Sequence, residues 1–267
     1  MRIAARLPRP VTATRRFAGW RPLAIQATLT AAAALAYFAV RHLSVRRVAV
    51  ARADAGALFS VERTLHFDWE HGIQQAFLAH PPLVTLADWV YMYGHWPVLV
   101  TALVVLFVRR PDRFYLLRNA LFISGGIGLV VFAVFPVVPP RLYMPQMVDT
   151  ITAHSHAYRV LQPPALVDQY ASMPSLHFGW NLLVGVVIWM STGRRALRAF
   201  AVLMPAAMAL AVIATANHFV LDVVAGAAVA MVGLSAAIAL PRLVSTPEWA
   251  RPPPHADGAR RVIAPAR

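Results

Sequence analysis

The amino-acid sequence predicts an all-α integral membrane protein, a bundle of six transmembrane helices with an interfacial amphipathic segment before the second span. The first observation is composition: 59% of the 267 residues are hydrophobic and 13% are charged, whereas soluble domains are about half apolar and a quarter charged. The second is that the apolar residues form long blocks, as membrane-spanning helices require. The third is that arginines cluster at the ends of these blocks, which is how membrane proteins set their orientation.

The apolar blocks define the individual spans. A run of about 20 apolar residues crosses ~30 Å of hydrocarbon. We therefore expect one membrane domain, residues 22–241, with spans at 23–40, 83–108, 119–138, 174–192, 197–216 and 219–240. Residues 41–82 mix charged and aromatic residues, which predicts amphipathic helices at the interface. The Pro- and Arg-rich ends, residues 1–21 and 242–267, predict disordered tails.

The charge pattern predicts how the chain is oriented. Four segments are rich in arginine, and with six spans all of them fall on one side: 1–21, 109–118, 193–198 and 242–267. The positive-inside rule makes that side the cytoplasm, so both termini are expected there and the loops 41–82 and 139–172 face outward. The alanine-rich, lysine-free composition indicates a bacterium of high GC content, and therefore the bacterial plasma membrane.

Composition also limits the partners. The formal net charge is +14, and all 25 basic residues are arginines. Because these arginines flank spans, membrane lipids are the expected partners. Nucleic acid is not, since no basic patch with interleaved aromatic residues stands apart from a span. The chain has no cysteine, which excludes disulfides and thiolate chemistry, and no feature of the sequence indicates an oligomeric state.

His218 and Asp222 form the first candidate site. A spacing of four residues places them on one face of a helix. A carboxylate that binds one imidazole nitrogen fixes the tautomer and leaves the other nitrogen as a base or nucleophile. A simple capping pair at a helix start would have the same spacing. Ionisable residues in spans are costly, however, which favours a functional role.

A second candidate is the stretch 172–177, Ser-Met-Pro-Ser-Leu-His. It predicts a helix start, with Ser172 or Ser175 as the N-cap residue. Free N–H groups at such a start bind anions, and His177 beside them could supply a proton. Arg141 offers a planar fork suited to phosphate, although it could equally be an interfacial arginine. In the predicted topology all these side chains meet at the outer surface.

These motifs resemble those of the type 2 phosphatidic acid phosphatase superfamily. The resemblance rests on Pro-Ser-x-His followed about forty residues later by His-x-x-x-Asp, both at the outer ends of spans. The preceding Phe-Pro-x-x-Pro-Pro-Arg stretch and the Asn-His-Phe-x-x-Asp-x-x-Ala-Gly stretch resemble the branch that contains inositol phosphorylceramide synthases and bacterial inositolphosphotransferase-like proteins. The resemblance covers about residues 60–240.

The resemblance implies a metal-independent phosphatase or phosphotransferase that uses no cofactor. His218 would be the nucleophile that forms a phosphohistidine, with Asp222 holding its ring, and His177 would protonate the leaving alkoxide. Arg141 and Ser175 would bind the phosphate of a lipid phosphate or phosphodiester substrate. Water or an alcohol of the inositol or sugar type would accept the phosphoryl group, and the sequence does not distinguish these acceptors.

Two positions depart from the superfamily pattern. Val134 stands where the first motif has a lysine, and Val212 stands where the last motif has an arginine. These departures favour the synthase-like branch over a generic phosphatase. The missing charges could be replaced by Asn217, Thr215, Arg159 or the loop histidines. With few cations nearby, the N–H groups of the helix start after Ser175 are expected to carry more of the phosphate binding.

Two other functions fit some of the same residues. His154 and His156, with the His218–Asp222 pair, could form a zinc site with an open position. Alternatively, a non-catalytic protein could grip a lipid phosphate in order to bind or transport it, and the polar span with Asp88 and His95 would suit a transport path. Its polar and aromatic residues equally predict a substrate-binding wall: Tyr91, His95 and Trp96.

Overall fold

The computed structural model describes residues 21–44, 47–154 and 169–240, and this part of the chain is all-helical, as predicted. Prolines and arginines mark most helix boundaries, since proline favours the first turn of a helix and stops the preceding one. The described helices are α1 (Arg21–Ser44), α2 (Val48–Leu65), α3 (Glu70–Leu78), α4 (Pro81–Tyr93), α5 (Trp96–Arg109), α6 (Pro111–Val134), α7 (Pro140–Tyr143), α8 (Thr150–His154), α9 (Leu176–Ser191), α10 (Arg195–Ala214) and α11 (Val220–Ala239).

Four of these helices are long and apolar enough to cross a membrane: α1, α6, α10 and α11. The bent pair α4 and α5 adds a fifth span if the two helices cross together. The predicted count of six is therefore not confirmed, because it also requires α9, which has only 16 residues. The last three predicted spans nevertheless match α9, α10 and α11 to within two residues at each end.

The second and third predicted spans need correction. The run 83–108 was predicted as one helix, but it breaks between Tyr93 and Trp96 with a bend of 44°. Pro97 lies in the first turn of α5. Because proline has no N–H group to donate to a carbonyl of α4, the helix cannot continue unbroken from α4 into α5. The third span was predicted to begin at residue 119, but α6 begins at Pro111. Most of the predicted basic loop 109–118 is therefore helix.

The segment 41–82 contains α2 and α3 before the second span, which are helical as expected. Their placement at a membrane interface stays a prediction. Both helices turn polar side chains inward: Glu62, Glu70 and Gln74 are completely buried. The amide of Gln74 donates to the carbonyls of Val148 and Ala214, at 2.8 and 3.0 Å. This buried polar layer lies against the end of α10 and the start of α11 rather than against solvent.

The helices α9 and α11 cross with their backbones in contact. A Cβ atom added at Gly226 of α11 would lie 2.3 Å from the carbonyl oxygen of Ser175. A Cβ at Gly179 of α9 would lie 2.6 Å from the carbonyl oxygen of Gly226. Only glycine permits so close an approach, which is typical of small residues at helix crossings in membranes. The two helix starts are thereby brought side by side.

Two loops complete this end of the bundle. Val137 pairs with Ala171 in an isolated bridge, in which Ser172 N–H donates to the Val137 carbonyl at 3.2 Å. The Arg141 N–H donates to the carbonyl of Ala216 at 3.0 Å. The predicted disordered tails fall almost entirely outside the described residues. So do residues 155–168 of the predicted loop, which include His156, Arg159 and Asp168.

Candidate active site

The site lies where the starts of α9 and α11 meet the end of α10. The N–H group of Ser175 donates to the carbonyl of Asp222 at 2.9 Å. Arg141 is tied by its backbone to Ala216, two residues before His218. These backbone hydrogen bonds bring the three loop–helix junctions that carry the predicted residues next to one another.

The turn that carries His218 is fixed by the end of α10. Ala216 has a positive φ of 56°, and the N–H groups of Ala216 and Asn217 donate to the carbonyls of Ile213 and Val212. This is the Schellman pattern, in which glycine usually occupies the left-handed position. Alanine there costs roughly 1–2 kcal/mol. The strain is local to the residues that position His218, a common finding at active sites.

His218 is oriented by a buried carboxylate. Its Nδ1 atom lies 3.3 Å from Oδ2 of Asp222, and both side chains are almost inaccessible to solvent. The Ser172 hydroxyl hydrogen-bonds the same carboxylate oxygen and lies 3.4 Å from Nδ1 of His218. With Nδ1 engaged by Asp222, Nε2 is the nitrogen left for chemistry. Sequence reasoning treated Ser172 only as a possible cap.

Asp222 is one of three carboxylates at the start of α11. It accepts the N–H of Phe219 at 2.9 Å. Glu70 accepts the N–H of Val220 at 2.8 Å, and Glu62 accepts that of Leu221 at 2.7 Å. All three side chains are completely buried. Sequence reasoning missed both glutamates, because their charges looked like the counterparts of neighbouring arginines.

The environment of these glutamates changes their ionisation. Burial is the main cause that raises the pKa of Glu62 to about 9, and the nearby carboxylates of Glu70 and Asp222 raise it further. Burial likewise raises the pKa of Glu70. The helix N–H groups that donate to each carboxyl act in the opposite direction. A neutral Glu62 is thus expected at neutral pH.

His177 is held by rings rather than by carboxylates. Its ring stacks on Tyr91 at 4.7 Å between centroids and lies 4.4 Å from the ring of His95. The Asn181 amide donates to the His177 carbonyl at 2.9 Å and lies 3.3 Å from Nδ1 of His95. The His177 and His218 ring centroids are 6.1 Å apart.

Arg141 and Ser175, the predicted phosphate ligands, both have partners within the protein. Nε of Arg141 lies 3.3 Å from Oδ2 of Asp149. Its terminal nitrogens make no hydrogen bond to a residue of the described ranges. Ser175 is the N-cap of α9 and accepts the N–H of Phe178 at 3.5 Å, with its side chain completely buried. Phosphate binding by either residue stays a prediction.

The remaining predicted site residues are also buried. The Asn217 amide donates to the carbonyl and hydroxyl oxygens of Thr215, at 3.2 and 2.9 Å. Tyr91 and His95, predicted to bind substrate, are 6% and 4% exposed and contact His177. The alternative zinc set is not tested, because His156 lies outside the described residues.

A known family matches the part of the chain that contains these residues. The sequence profile of a family described as the PAP2 superfamily matches residues 56–236. The match contains both histidine stretches, Arg141 and the two buried glutamates. No curated protein and no solved structure matches the chain.

Proposed function

Because the chain belongs to the PAP2 superfamily, we propose that it transfers the phosphoryl group of a membrane lipid phosphate or phosphodiester through a phosphohistidine on His218. The observation that carries this proposal is the buried His218–Asp222 pair, whose ring faces His177 across 6.1 Å. A nucleophile with an orienting carboxylate and a separate proton donor is the minimum that such a two-step transfer needs.

The proposed reaction has two steps. Nε2 of His218 attacks phosphorus, and the bond from phosphorus to the leaving oxygen breaks as His177 gives that oxygen a proton. Asp222 stabilises the positive charge that develops on the His218 ring. In the second step His177 removes a proton from water or an alcohol, whose oxygen attacks phosphorus and releases His218. No redox partner is consumed, and the His177 proton is recovered.

The phosphate oxygens are assigned to the positive groups around the two rings. Arg141 would bind them through its terminal nitrogens, while Asp149 holds Nε. The start of α9 would offer its N–H groups, with Ser175 and Asn217 beside them. We assign Tyr91 and His95 to holding the His177 ring at the substrate wall, since their contacts to that ring are close.

We further propose the inositolphosphotransferase-like branch, in which the acceptor is an inositol or sugar hydroxyl rather than water. Support comes from Val134 and Val212, which stand where a generic phosphatase has cations. We also propose a six-span protein in a bacterial plasma membrane, with the site on the extracytoplasmic side and both termini in the cytoplasm. The arginine pattern supports that orientation.

One observation favours a second candidate, a non-catalytic protein that binds or transports lipid phosphates. The span formed by α4 and α5 is bent by 44°, and its break contains the buried His95, while Asp88 lies buried within α4. Polar groups at a broken span are frequent along transport paths. Lipid flux that survives the loss of His218 would support this candidate against the enzyme.

The test combines product identification with trapping of the intermediate. Purified protein is incubated with phosphatidic acid and other radiolabelled lipid phosphates, with and without inositol or sugars. We expect a labelled protein whose phosphate is stable to alkali and lost in acid. His218→Asn should abolish the label, and His177→Asn should slow turnover about 10²- to 10⁴-fold. The exposed His71 offers a matched control, His71→Asn. Full activity in both site variants would refute the proposal.

A further inference from the structure

Three buried carboxyl groups bind the start of α11, which is more than one helix start is expected to stabilise in the ionised form. Consecutive N–H groups, those of Phe219, Val220 and Leu221, are accepted by Asp222, Glu70 and Glu62 in turn. The two glutamates come from α2 and α3, 159 and 150 residues away from the groups they bind. Helix N-termini favour negative charge, but three buried carboxylates at one terminus would repel one another strongly.

The second oxygen of each glutamate indicates how this repulsion is relieved. Oε2 of Glu62 and Oε2 of Glu70 are both buried, and neither has a hydrogen-bond donor among the residues that the structure describes. The other oxygens of the same carboxyls bind adjacent N–H groups, so the two carboxyls lie side by side. A proton placed between the two Oε2 atoms would satisfy both of them.

We propose that Glu62 and Glu70 share one proton and act together as positioning residues, which clamp the first turn of α11 and so fix Asp222 and His218. Glu62 carries the proton and Glu70 the charge. Neither residue touches the reacting atoms. They act through the helix start, to which they fasten α2 and α3.

The shared proton matters for a phosphate substrate. A third full negative charge behind His218, added to those of Asp222 and Glu70, would repel the incoming phosphate, and the described residues near the site include few cations to offset it. With one proton on the pair, the helix N-terminus keeps its hydrogen bonds while one charge is removed. The inference rests on the proposed function, since the position of His218 matters to turnover only if His218 is the reactive group.

The raised pKa of Glu62 agrees with this assignment. The ionisable groups that act on it are Glu70 and Asp222, both acidic, and the N–H of Leu221 is the group that opposes them. Asp222 in turn contacts His218. The pair therefore belongs to a connected network of four titratable side chains.

Glutamine substitutions test the proton directly. In Glu62→Gln the amide oxygen can still accept the Leu221 N–H, and the amide N–H can replace the shared proton. We expect Glu62→Gln to retain most of the turnover. The kcat of Glu62→Ala should be at least about tenfold lower than that of Glu62→Gln, with KM little changed. In Glu62→Gln/Glu70→Gln, residue 70 has one acceptor oxygen for both the Val220 N–H and the amide N–H of residue 62, so turnover should fall about tenfold below that of Glu62→Gln. Asp68→Asn, an exposed acid in the same segment, is the matched control.

An infrared measurement gives a second readout that needs no substrate. At neutral pH the full-length protein in detergent should show the C=O stretching band of a buried protonated carboxyl. That band should persist in Asp68→Asn and disappear in Glu62→Gln. Absence of the band from the unmodified protein would overturn the proposal, as would equal turnover in Glu62→Gln and Glu62→Ala.

The outcomes separate this inference from the proposed function. If His218→Asn keeps full turnover, the proposed function fails whatever the glutamate variants do. If His218→Asn is inactive while all the glutamate variants turn over like the unmodified protein, the enzyme stands and the positioning role fails. The infrared band decides the shared proton in either case, because it is measured without a reaction.

Discussion

The two helix starts that form the site are held in different ways. The start of α11 is fixed by hydrogen bonds that its N–H groups donate to three buried carboxyls, and the Ser172 hydroxyl donates to one of these, Asp222. The start of α9 has one capping hydroxyl, that of Ser175, at 3.5 Å from the N–H it accepts. His177 on that helix is positioned instead by the stacked ring of Tyr91 and the tilted ring of His95.

This difference matches what each histidine is proposed to do. A nucleophile must keep one nitrogen aimed along the line of attack, and directional hydrogen bonds impose such an angle. A proton donor must reach an oxygen that moves as its bond breaks, and ring packing holds a ring in place while leaving its polar edge available. The more rigid attachment is therefore on the α11 side, and variants should separate the two sides.

Adding a side chain at the contact between α9 and α11 should have the largest effect. In Gly226→Ala the new methyl group would lie 2.3 Å from the Ser175 carbonyl oxygen, which is backbone and cannot rotate away. The helices must move apart, at a cost of about 3 kcal/mol, and a shift of about 1 Å between the two histidines should lower kcat about 10²-fold. Thermal unfolding in detergent and turnover measure the two parts.

The matched control for this variant is Gly126→Ala in α6. An added Cβ at Gly126 meets nothing within 4 Å, and alanine favours a helix over glycine by about 1 kcal/mol. Gly126→Ala should therefore unfold at the same temperature as the unmodified protein or higher, with unchanged turnover. Equal behaviour of the two variants would show that the α9–α11 contact does not set the site.

Removing the hydroxyl that holds Asp222 should have an intermediate effect, on the α11 side alone. Ser172→Ala loses a hydrogen bond to a charged group, worth about 1.5–3 kcal/mol, so we expect turnover to fall about 10- to 100-fold. Binding of the lipid phosphate should change little, because Ser172 is buried behind His218. Ser60→Ala, whose hydroxyl bonds only within its own helix turn, should retain full turnover.

The contacts that sequence predicted are those that depend on local spacing. The four-residue interval placed Asp222 beside His218, and the structure has these side chains 3.3 Å apart. Apolar run lengths located α9, α10 and α11 closely. Apolar run length was wrong for α4 and α5, because the residues on both sides of the break before Pro97 are apolar and hydropathy alone does not reveal the break. It also placed the start of α6 too late, because Pro111 can begin a helix among charged residues.

The supports of the site could not be predicted in this way. Ser172 reaches Asp222 across 50 residues, and the two glutamates reach α11 across about three times that distance in sequence. Such contacts depend on how complete helices pack, which one sequence does not specify. Ser172 and Ser175 were equivalent candidates for the cap of α9, and only the fold separates the residue that caps it from the one that holds the carboxylate.

The most gradual expected effect is a pH dependence of stability that belongs to the α11 side. In the folded protein Glu62 keeps its proton up to a pH of about 9, whereas its ordinary pKa is 4.5. Between these values the folded state binds one proton more than the unfolded chain. The free energy of unfolding should therefore fall as the pH rises, by at most about 1.4 kcal/mol per pH unit, and this contribution should level off above a pH of about 9.

Thermal unfolding of the full-length protein in detergent across this pH range measures the slope. Glu62→Gln should remove this contribution, since an amide does not titrate, and Asp68→Asn should retain it. A slope that is identical in Glu62→Gln and the unmodified protein would mean that Glu62 is already ionised in the fold. The cap of α9 is the hydroxyl of Ser175, which does not titrate in this range. Ser175→Ala should accordingly lower stability by a similar amount at every pH. Of the two helix starts, the cap of α11 should then be the one whose contribution to stability depends on pH.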